Sequence, residues 1–249
     1  MEKKYGLIGF PLSHSFSKKY FEKKFSENSL KDFSYDSFEM ERLNNFNNFL
    51  NLHPNLFGFN VTIPHKENII PFLDTIDNAA LKIGAVNCVK VKKINGVRKL
   101  LGFNTDCIGF KSSLAPLLTK NHTHALILGS GGASKSVQYV LKELNISFLV
   151  VSRTSGDIKY QDLNQSILEK YLLIINTTPL GMYPNITEQP SIDYNFITSK
   201  HLVYDLIYNP EQTLFLENCA NMGAKTKNGY EMLVLQAEES WRIWQDANL

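Results

Sequence analysis

Residues His124 to Thr154 read HALILGSGGASKSVQYVLKELNISFLVVSRT, and this stretch decides the fold. Ala125-Leu126-Ile127-Leu128 has the length and branching of a strand buried on both faces, and Gly129, Gly131 and Gly132 follow it directly. Val137, Val140, Leu141 and Leu144 then recur at helical spacing, so one stripe of the next helix can cover a sheet. Phe148 to Val151 supplies a second buried strand. Strand, glycine turn, helix and strand in this order predict a dinucleotide-binding βαβ unit. A pyrophosphate must approach the backbone closely at such a turn, and the helix N-terminus offers it unpaired N–H groups. Ser134 replaces the third glycine of the common G-x-G-x-x-G pattern and is small enough for close helix packing. A doubly wound fold with a glycine turn and no ligand is the plainer alternative.

The end of the second strand bears on which dinucleotide is bound. NAD enzymes place an Asp or Glu there for the ribose 2′-hydroxyl, whereas this chain has Ser152-Arg153-Thr154. An arginine at that point can clamp a 2′-phosphate and lie against adenine, so NADP is expected. Asp157, a few residues on, could repel that phosphate or turn away, and Lys159 could supply a second basic group.

Outward from this unit, 249 residues can bury one large core or two modest ones, and two domains fit the pattern better. A formal charge of +2 with dispersed lysines argues against a nucleic-acid partner. Cys88, Cys107 and Cys219 lie far apart without a C-x-x-C, so neither disulfides nor a metal site is expected. No membrane-length apolar run and no leader pattern occurs, so a cytoplasmic protein is expected.

Before the central unit, strands at Lys4 to Phe10, Phe33 to Met40 and Leu56 to Ile63 alternate with helices carrying Phe16, Tyr20, Phe21 and Phe25, then Leu43, Phe46, Phe49 and Leu50. Thr75 to Lys82 reads as a short helix, and Val86 to Phe103 as a hairpin turning at Asn95-Gly96. A helix opening at Asp106 carries the domain boundary. Beyond Thr154, strands at LLIIN, LVYDLIY and Lys225 to Lys227 alternate with helices over Asp162 to Lys170 and Thr213 to Met222. The last segment, Tyr230 to Asn248, is a long helix whose Trp241 and Trp244 should pack back on the first domain. The fold class is α/β: two α/β domains flanking a cleft, the second Rossmann-like. The domains expected are 1–108 with 231–249, for substrate binding and catalysis, and 109–230, for NADP.

Ligands of open α/β sheets bind beyond the carboxyl ends of strands. Ser15, Ser17, Asn60, Thr62, Asn87, Asn104 and Asp106 all stand near such ends. Together they suit a hydroxyl-rich ligand with one carboxylate, although each taken singly could be a cap or turn residue. Lys66, on the turn after NVTIPH, is a candidate general acid or base, and Asp106 could be its ionised partner. His14 and His65 are rivals for the proton-transfer role.

Nine motifs carry a resemblance over nearly the whole chain: GFPLSHSFS, NVTIPHK, GAVN, GFNTD, GSGGAS, SRT, NTTPLGM, DLIYNP and NGYEMLVLQAE. In this order and spacing the chain resembles the shikimate dehydrogenases, which reduce 3-dehydroshikimate to shikimate with NADPH. The resemblance implies that Ser15 and Ser17 hold the substrate carboxylate. It also implies that Asn60, Thr62, Asn87, Tyr208 and Gln236 bind the substrate, and that Lys66 and Asp106 are catalytic. For the cofactor it implies Gly129, Ser130, Gly131, Gly132, Ala133, Ser152, Arg153, Thr154, Thr177 and Gly229, with no metal. Two departures stand out: Lys18 replaces the usual proline after the second serine, and Ser152 replaces the usual asparagine before Arg153. An NAD-preferring quinate/shikimate dehydrogenase and a silent dinucleotide-binding sensor are the alternatives. The partners expected are a small-molecule substrate, no nucleic acid and no membrane, with the chain a monomer or homodimer.

Overall fold

The computed structural model describes residues 2–12 and 15–249. The chain divides into two compact units, Met1–Thr105 with Ala237–Leu249, and Asp106–Gln236.

The first unit is built on a mixed six-stranded sheet. Its strands are β1 (Lys3–Gly9), β2 (Phe33–Glu39), β3 (Leu56–Val61), β4 (Thr75–Ile76), β5 (Cys88–Ile94) and β6 (Val97–Phe103), in the order β2-β1-β3-β5-β6-β4. β1 runs parallel to both β2 and β3, and the β5–β6 hairpin joins β3 antiparallel. Asn95 and Gly96 at the hairpin turn both take positive φ, as a type I′ turn requires. Helices α1 (Phe16–Glu27), α2 (Phe46–Leu52) and α3 (Asn78–Ile83) connect the strands. Thr75–Ile76, expected in a helix, pairs instead with Leu101 and Gly102. Asp77 explains the difference: its carboxylate accepts from the Ala79 and Ala80 N–H groups and so caps α3 one residue after the strand.

The second unit holds a wholly parallel sheet, β7 (His124–Leu128), β8 (Ser147–Val151), β9 (Leu173–Asn176), β10 (Leu202–Asp205) and β11 (Lys225–Lys227), in the order β11-β10-β9-β7-β8. Its helices are α4 (Thr105–Leu114, all but its first residue), α5 (Gly132–Glu143), α6 (Gln165–Lys170) and α7 (Leu214–Asn221). Strand order reverses between β7 and β9, the switch point at which open sheets leave a crevice beyond their carboxyl ends. Leu126, Leu128, Val140, Leu141, Ile174 and Val203 are fully buried, as the uninterrupted apolar runs require. Ser134, at the third-glycine position, is also fully buried. β10 stops at Asp205, short of the expected strand, because the Asp205 carboxylate takes the Ile207 N–H and turns the chain out of the sheet.

The last helix, α8 (Tyr230–Gln245), begins in the second unit and ends in the first. Within the first unit Trp244 is clamped against the sheet: its indole donates to the Val89 carbonyl at 3.1 Å and lies where any side chain at Gly58 would stand. Tyr5 stacks on the same ring at 4.9 Å between centroids. The buried Lys90 ammonium donates to the Ile243 and Asp246 carbonyls and closes the helix at Gln245 rather than at Asn248. All three cysteines are free and buried, and no helix among the described residues is long and apolar enough to cross a membrane.

Candidate active site

In the first unit the candidate substrate residues gather at the carboxyl ends of β1 and β3. Ser15 is the N-cap of α1, its hydroxyl accepting from the Ser17 N–H at 3.3 Å. Past the end of β1, Leu12 is held by Glu39, whose carboxylate accepts from the Leu12 N–H at 2.8 Å. Thr62 crosses the end of β1 so closely that a Cβ at Gly9 would lie 2.3 Å from its methyl group. A helix N-terminus flanked by two half-buried hydroxyls is suited to a carboxylate.

Beneath these lies a buried chain of polar groups. Asn60 Oδ1 accepts from the Tyr35 hydroxyl at 2.9 Å, and that hydroxyl also reaches Ser17. Asn60 Nδ2 donates to Ser240 Oγ at 2.9 Å and to the Asn87 carbonyl at 3.2 Å. Ser240 Oγ lies 3.1 Å from Thr105 Oγ1, and Asn87 Nδ2 donates to that same threonine oxygen at 3.0 Å. The Thr105 N–H donates back to Asn87 Oδ1 at 2.6 Å. Burial pushes the Tyr35 phenol well above its ordinary pKa, so it remains a donor. Both amide hydrogens of Asn60 are committed, and only one lone pair on Oδ1 remains for a ligand hydroxyl. Tyr35, Thr105 and Ser240 are absent from the sequence-derived set. Ser240 could have been found one helical turn beyond Gln236, and Thr105 within GFNTD, but nothing in the sequence marks Tyr35.

Lys66 is half-buried on the turn after β3, and its carbonyl accepts from the Val86 N–H at 2.7 Å, which joins the NVTIPHK and GAVN segments. His65 beside it is buried, with Nε2 2.6 Å from the Met40 carbonyl. A ring nitrogen facing a carbonyl must carry the proton, so His65 is committed to holding the turn. Its rival His14 lies outside the described residues. Asn104 Nδ2 donates to the Ala85 carbonyl and fixes the GAVN turn.

In the second unit Asp106 lies buried in the first turn of α4. Gly109, one turn on, permits contact with α8: a Cβ there would lie 2.6 Å from the Met232 carbonyl and 3.1 Å from Gln236 Cβ. Gln236 is buried and donates to the Leu233 carbonyl.

The sheet's carboxyl edge is stitched by backbone bonds. Gly129 N–H donates to Val151, Thr177 to Leu128, Leu206 to Asn176 and Gly229 to Ile207. Gly129 has φ +104°, and a Cβ on it would strike Thr177 Oγ1 at 2.8 Å, so the first glycine is demanded by both conformation and space. At Gly131 and Gly132 a Cβ would meet nothing, and α5 carries no side-chain cap. Ala133 follows in the first turn of α5. That N-terminus fits a pyrophosphate. Gly229 lies against the Leu206 carbonyl, with no space for a side chain.

Around the end of β8, Ser130 Oγ lies 3.0 Å from Ser152 Oγ and 3.1 Å from Ser155 Oγ. Ser152 Oγ also accepts from the N–H groups of Thr154 and Ser155, each at 3.4 Å. Arg153 and Lys159 are exposed. Asp157 turns away: its carboxylate accepts from the Val150 N–H at 2.7 Å and pins the loop to β8. Hydroxyls and an exposed guanidinium, with Asp157 bound to the backbone of β8, fit a 2′-phosphate better than a bare ribose.

The comparisons join this geometry to a family. A family model described as the shikimate dehydrogenase substrate binding domain matches residues 7–89. A shikimate dehydrogenase (NADP(+)) of Methanococcus vannielii is 39% identical, the match covering 96% of this chain and 90% of that protein. The chain belongs to the shikimate dehydrogenase family. The crystal structure of the shikimate dehydrogenase from Aquifex aeolicus is similar with a TM-score of 0.86 at 32% identity, covering 100% of this chain and 94% of that one. The Thermus thermophilus shikimate 5-dehydrogenase, solved in complex with NADP(H) and shikimate, gives a TM-score of 0.84 at 26% identity over 98% and 93% of the two chains. Shikimate dehydrogenase motifs therefore supply both the hydroxyl-lined first unit and the uncapped glycine turn of the second.

Proposed function

We propose that the chain is an NADP-dependent shikimate dehydrogenase, catalysing the reversible reduction of 3-dehydroshikimate to shikimate on the route to chorismate and the aromatic amino acids. The observation that carries this reading is the pairing of a carboxylate-and-hydroxyl site in the first unit with a 2′-phosphate-suited turn in the second, in a chain of this family. Ser15 and Ser17 hold the substrate carboxylate. Thr62, Asn87 and the free lone pair of Asn60 take ring hydroxyls, and Tyr208 and Gln236 complete the substrate set. Gly129 to Ala133, Ser152 to Thr154, Thr177 and Gly229 hold NADP. When bound, the dihydronicotinamide supplies a hydride to the ketone carbon. Lys66 gives a proton to the carbonyl oxygen as its π bond opens, and Asp106, the second catalytic group, accepts a substrate hydroxyl. The enzyme works in the cytoplasm as a monomer or homodimer, without nucleic acid.

An absorbance assay of reduced nicotinamide tests the reading, with shikimate or quinate offered against NADP or NAD. Turnover is expected to be fastest with shikimate and NADP. Preference for quinate and NAD would overturn the substrate and cofactor assignment, and no turnover with any pair would favour a silent sensor.

A further inference from the structure

Asp205 is fully buried at the end of β10, and its carboxylate gathers three donors from three segments. Asn176 Nδ2 and the Ile207 N–H reach Oδ1 at 3.0 and 3.1 Å, and Thr213 Oγ1 reaches Oδ2 at 2.7 Å. The network continues outward. Asn176 Oδ1 accepts from the Thr178 N–H and hydroxyl at 3.0 and 2.7 Å, and Thr178 Oγ1 accepts from the Leu180 N–H at 3.3 Å. Thr213 is also the N-cap of α7. Thr177 and Thr178 are the residues that crowd Gly129, so the loop held through Asn176 forms one wall of the glycine turn.

We propose that Asp205 is a positioning residue for the cofactor: without touching it, the carboxylate sets the loop 177–181 against the glycine turn and the segment 206–208 against Gly229. This deepens the dehydrogenase reading and rests on it. A buried carboxylate is a costly way to hold loops, and burial raises its pKa from 3.8 to about 6. The titratable groups facing it are the Cys219 thiol on α7, pushed up to about 12, and the Tyr194 phenol on the turn before β10, also raised by burial. Both keep their protons, and neither supplies a positive charge. Four acceptor lone pairs on two oxygens are the property an amide lacks: the substitution Asp205→Asn would set an NH2 group opposite Thr213 Oγ1, so that hydrogen bond reverses and the threonine proton loses its carboxylate acceptor. A protonated Asp205 has the same defect, so the loops should loosen as the group takes up a proton.

The test compares wild type with Asp205→Asn. NADP affinity, read by titration calorimetry, and KM for shikimate should change by less than about threefold, while kcat falls about ten- to a hundredfold, the scale of a small misplacement of reacting groups. The acid-side fall of kcat in wild type should disappear in the variant. Thr213→Val removes one donor and should move that limb to higher pH, with Thr213→Ser restoring it, which keeps the proposal testable if Asp205→Asn folds poorly. Hydrogen exchange at Thr178, Leu180 and Ile207 reads loop placement without turnover: protection should be lost in the variant and, in wild type, at acid pH. Equal protection in both proteins, or superimposable kcat profiles, would overturn the positioning role. A wild type inert with shikimate and NADP but showing the exchange difference would overturn the dehydrogenase reading and leave the loop-setting carboxylate supported.

Discussion

Removing the Ser240 hydroxyl is the sharpest probe of the buried polar chain in the first unit. Ser240 is fully buried, accepts from Asn60 Nδ2 at 2.9 Å and shares a hydrogen bond with Thr105 Oγ1 at 3.1 Å. In Ser240→Ala one amide hydrogen of Asn60 has no acceptor, at a desolvation cost of about 1–3 kcal/mol, whereas Thr105 keeps its bond to Asn87. The expected destabilisation is therefore about 2–3 kcal/mol, well above the roughly 0.5 kcal/mol of an ordinary surface change. Urea unfolding followed by tryptophan fluorescence reports this unit alone, because Trp241 and Trp244 both belong to it and are the only tryptophans of the chain. In Asn60→Ala the amide is already gone, so adding Ser240→Ala should cost about 1 kcal/mol or less, a coupling of about 1–2 kcal/mol. Strict additivity of the two changes would refute the argument, because it would mean that the serine and the asparagine do not share the bond on which the magnitude rests.

Lys66→Ala should lower kcat by about two to four powers of ten with substrate affinity largely kept, as expected for loss of a general acid; near wild-type turnover would leave Lys66 a turn residue. Ser15→Ala combined with Ser17→Ala should raise KM more than it lowers kcat, since a carboxylate contact is shared by ground and transition states, and an unchanged KM would place the carboxylate elsewhere. Arg153→Ala should weaken NADP by about 1.5–3 kcal/mol in a binding titration and leave NAD little altered, whereas equal losses would remove the phosphate clamp. For Asp205 the native pKa lies above the unfolded one, so the folded state binds the proton more tightly and stability is lost as pH rises from about 4 to about 6. Relative to Asp205→Asn, wild type should lose about 3 kcal/mol across that window in urea melts, and parallel curves would contradict it.

Much of this architecture is legible in the sequence because the signals are local. The parallel sheet follows from buried apolar runs such as Ala125 to Leu128, and the hairpin from Asn95-Gly96. Both depend only on neighbours along the chain. The misread segments are those settled by one side chain acting on the backbone. Asp77 caps α3 and leaves Thr75 and Ile76 to the sheet, and Asp205 ends β10. The supporting residues of the site escape for a further reason. Tyr35, Asn60 and Ser240 are far apart in sequence and meet only after β2, β3 and α8 have packed, so no spacing rule can pair them.

The two units hold their polar residues by different physics, and this decides where pH can act. In the first unit hydrogen-bonded hydroxyls and amides run from Tyr35 to Thr105, and burial drives the Tyr35 phenol further from neutrality. The hydrogen bonds that link Tyr35, Asn60, Ser240, Thr105 and Asn87 join neutral groups, which acid leaves unchanged. The second unit instead hangs Asn176, Ile207 and Thr213 on a single carboxylate whose pKa burial brings up to about 6. Its stability and its loop geometry then respond to acid with opposite signs: protonation relieves a buried charge but removes an acceptor from one of three donors. Relative to Asp205→Asn, wild type should therefore grow harder to unfold at mildly acid pH while its own turnover slows.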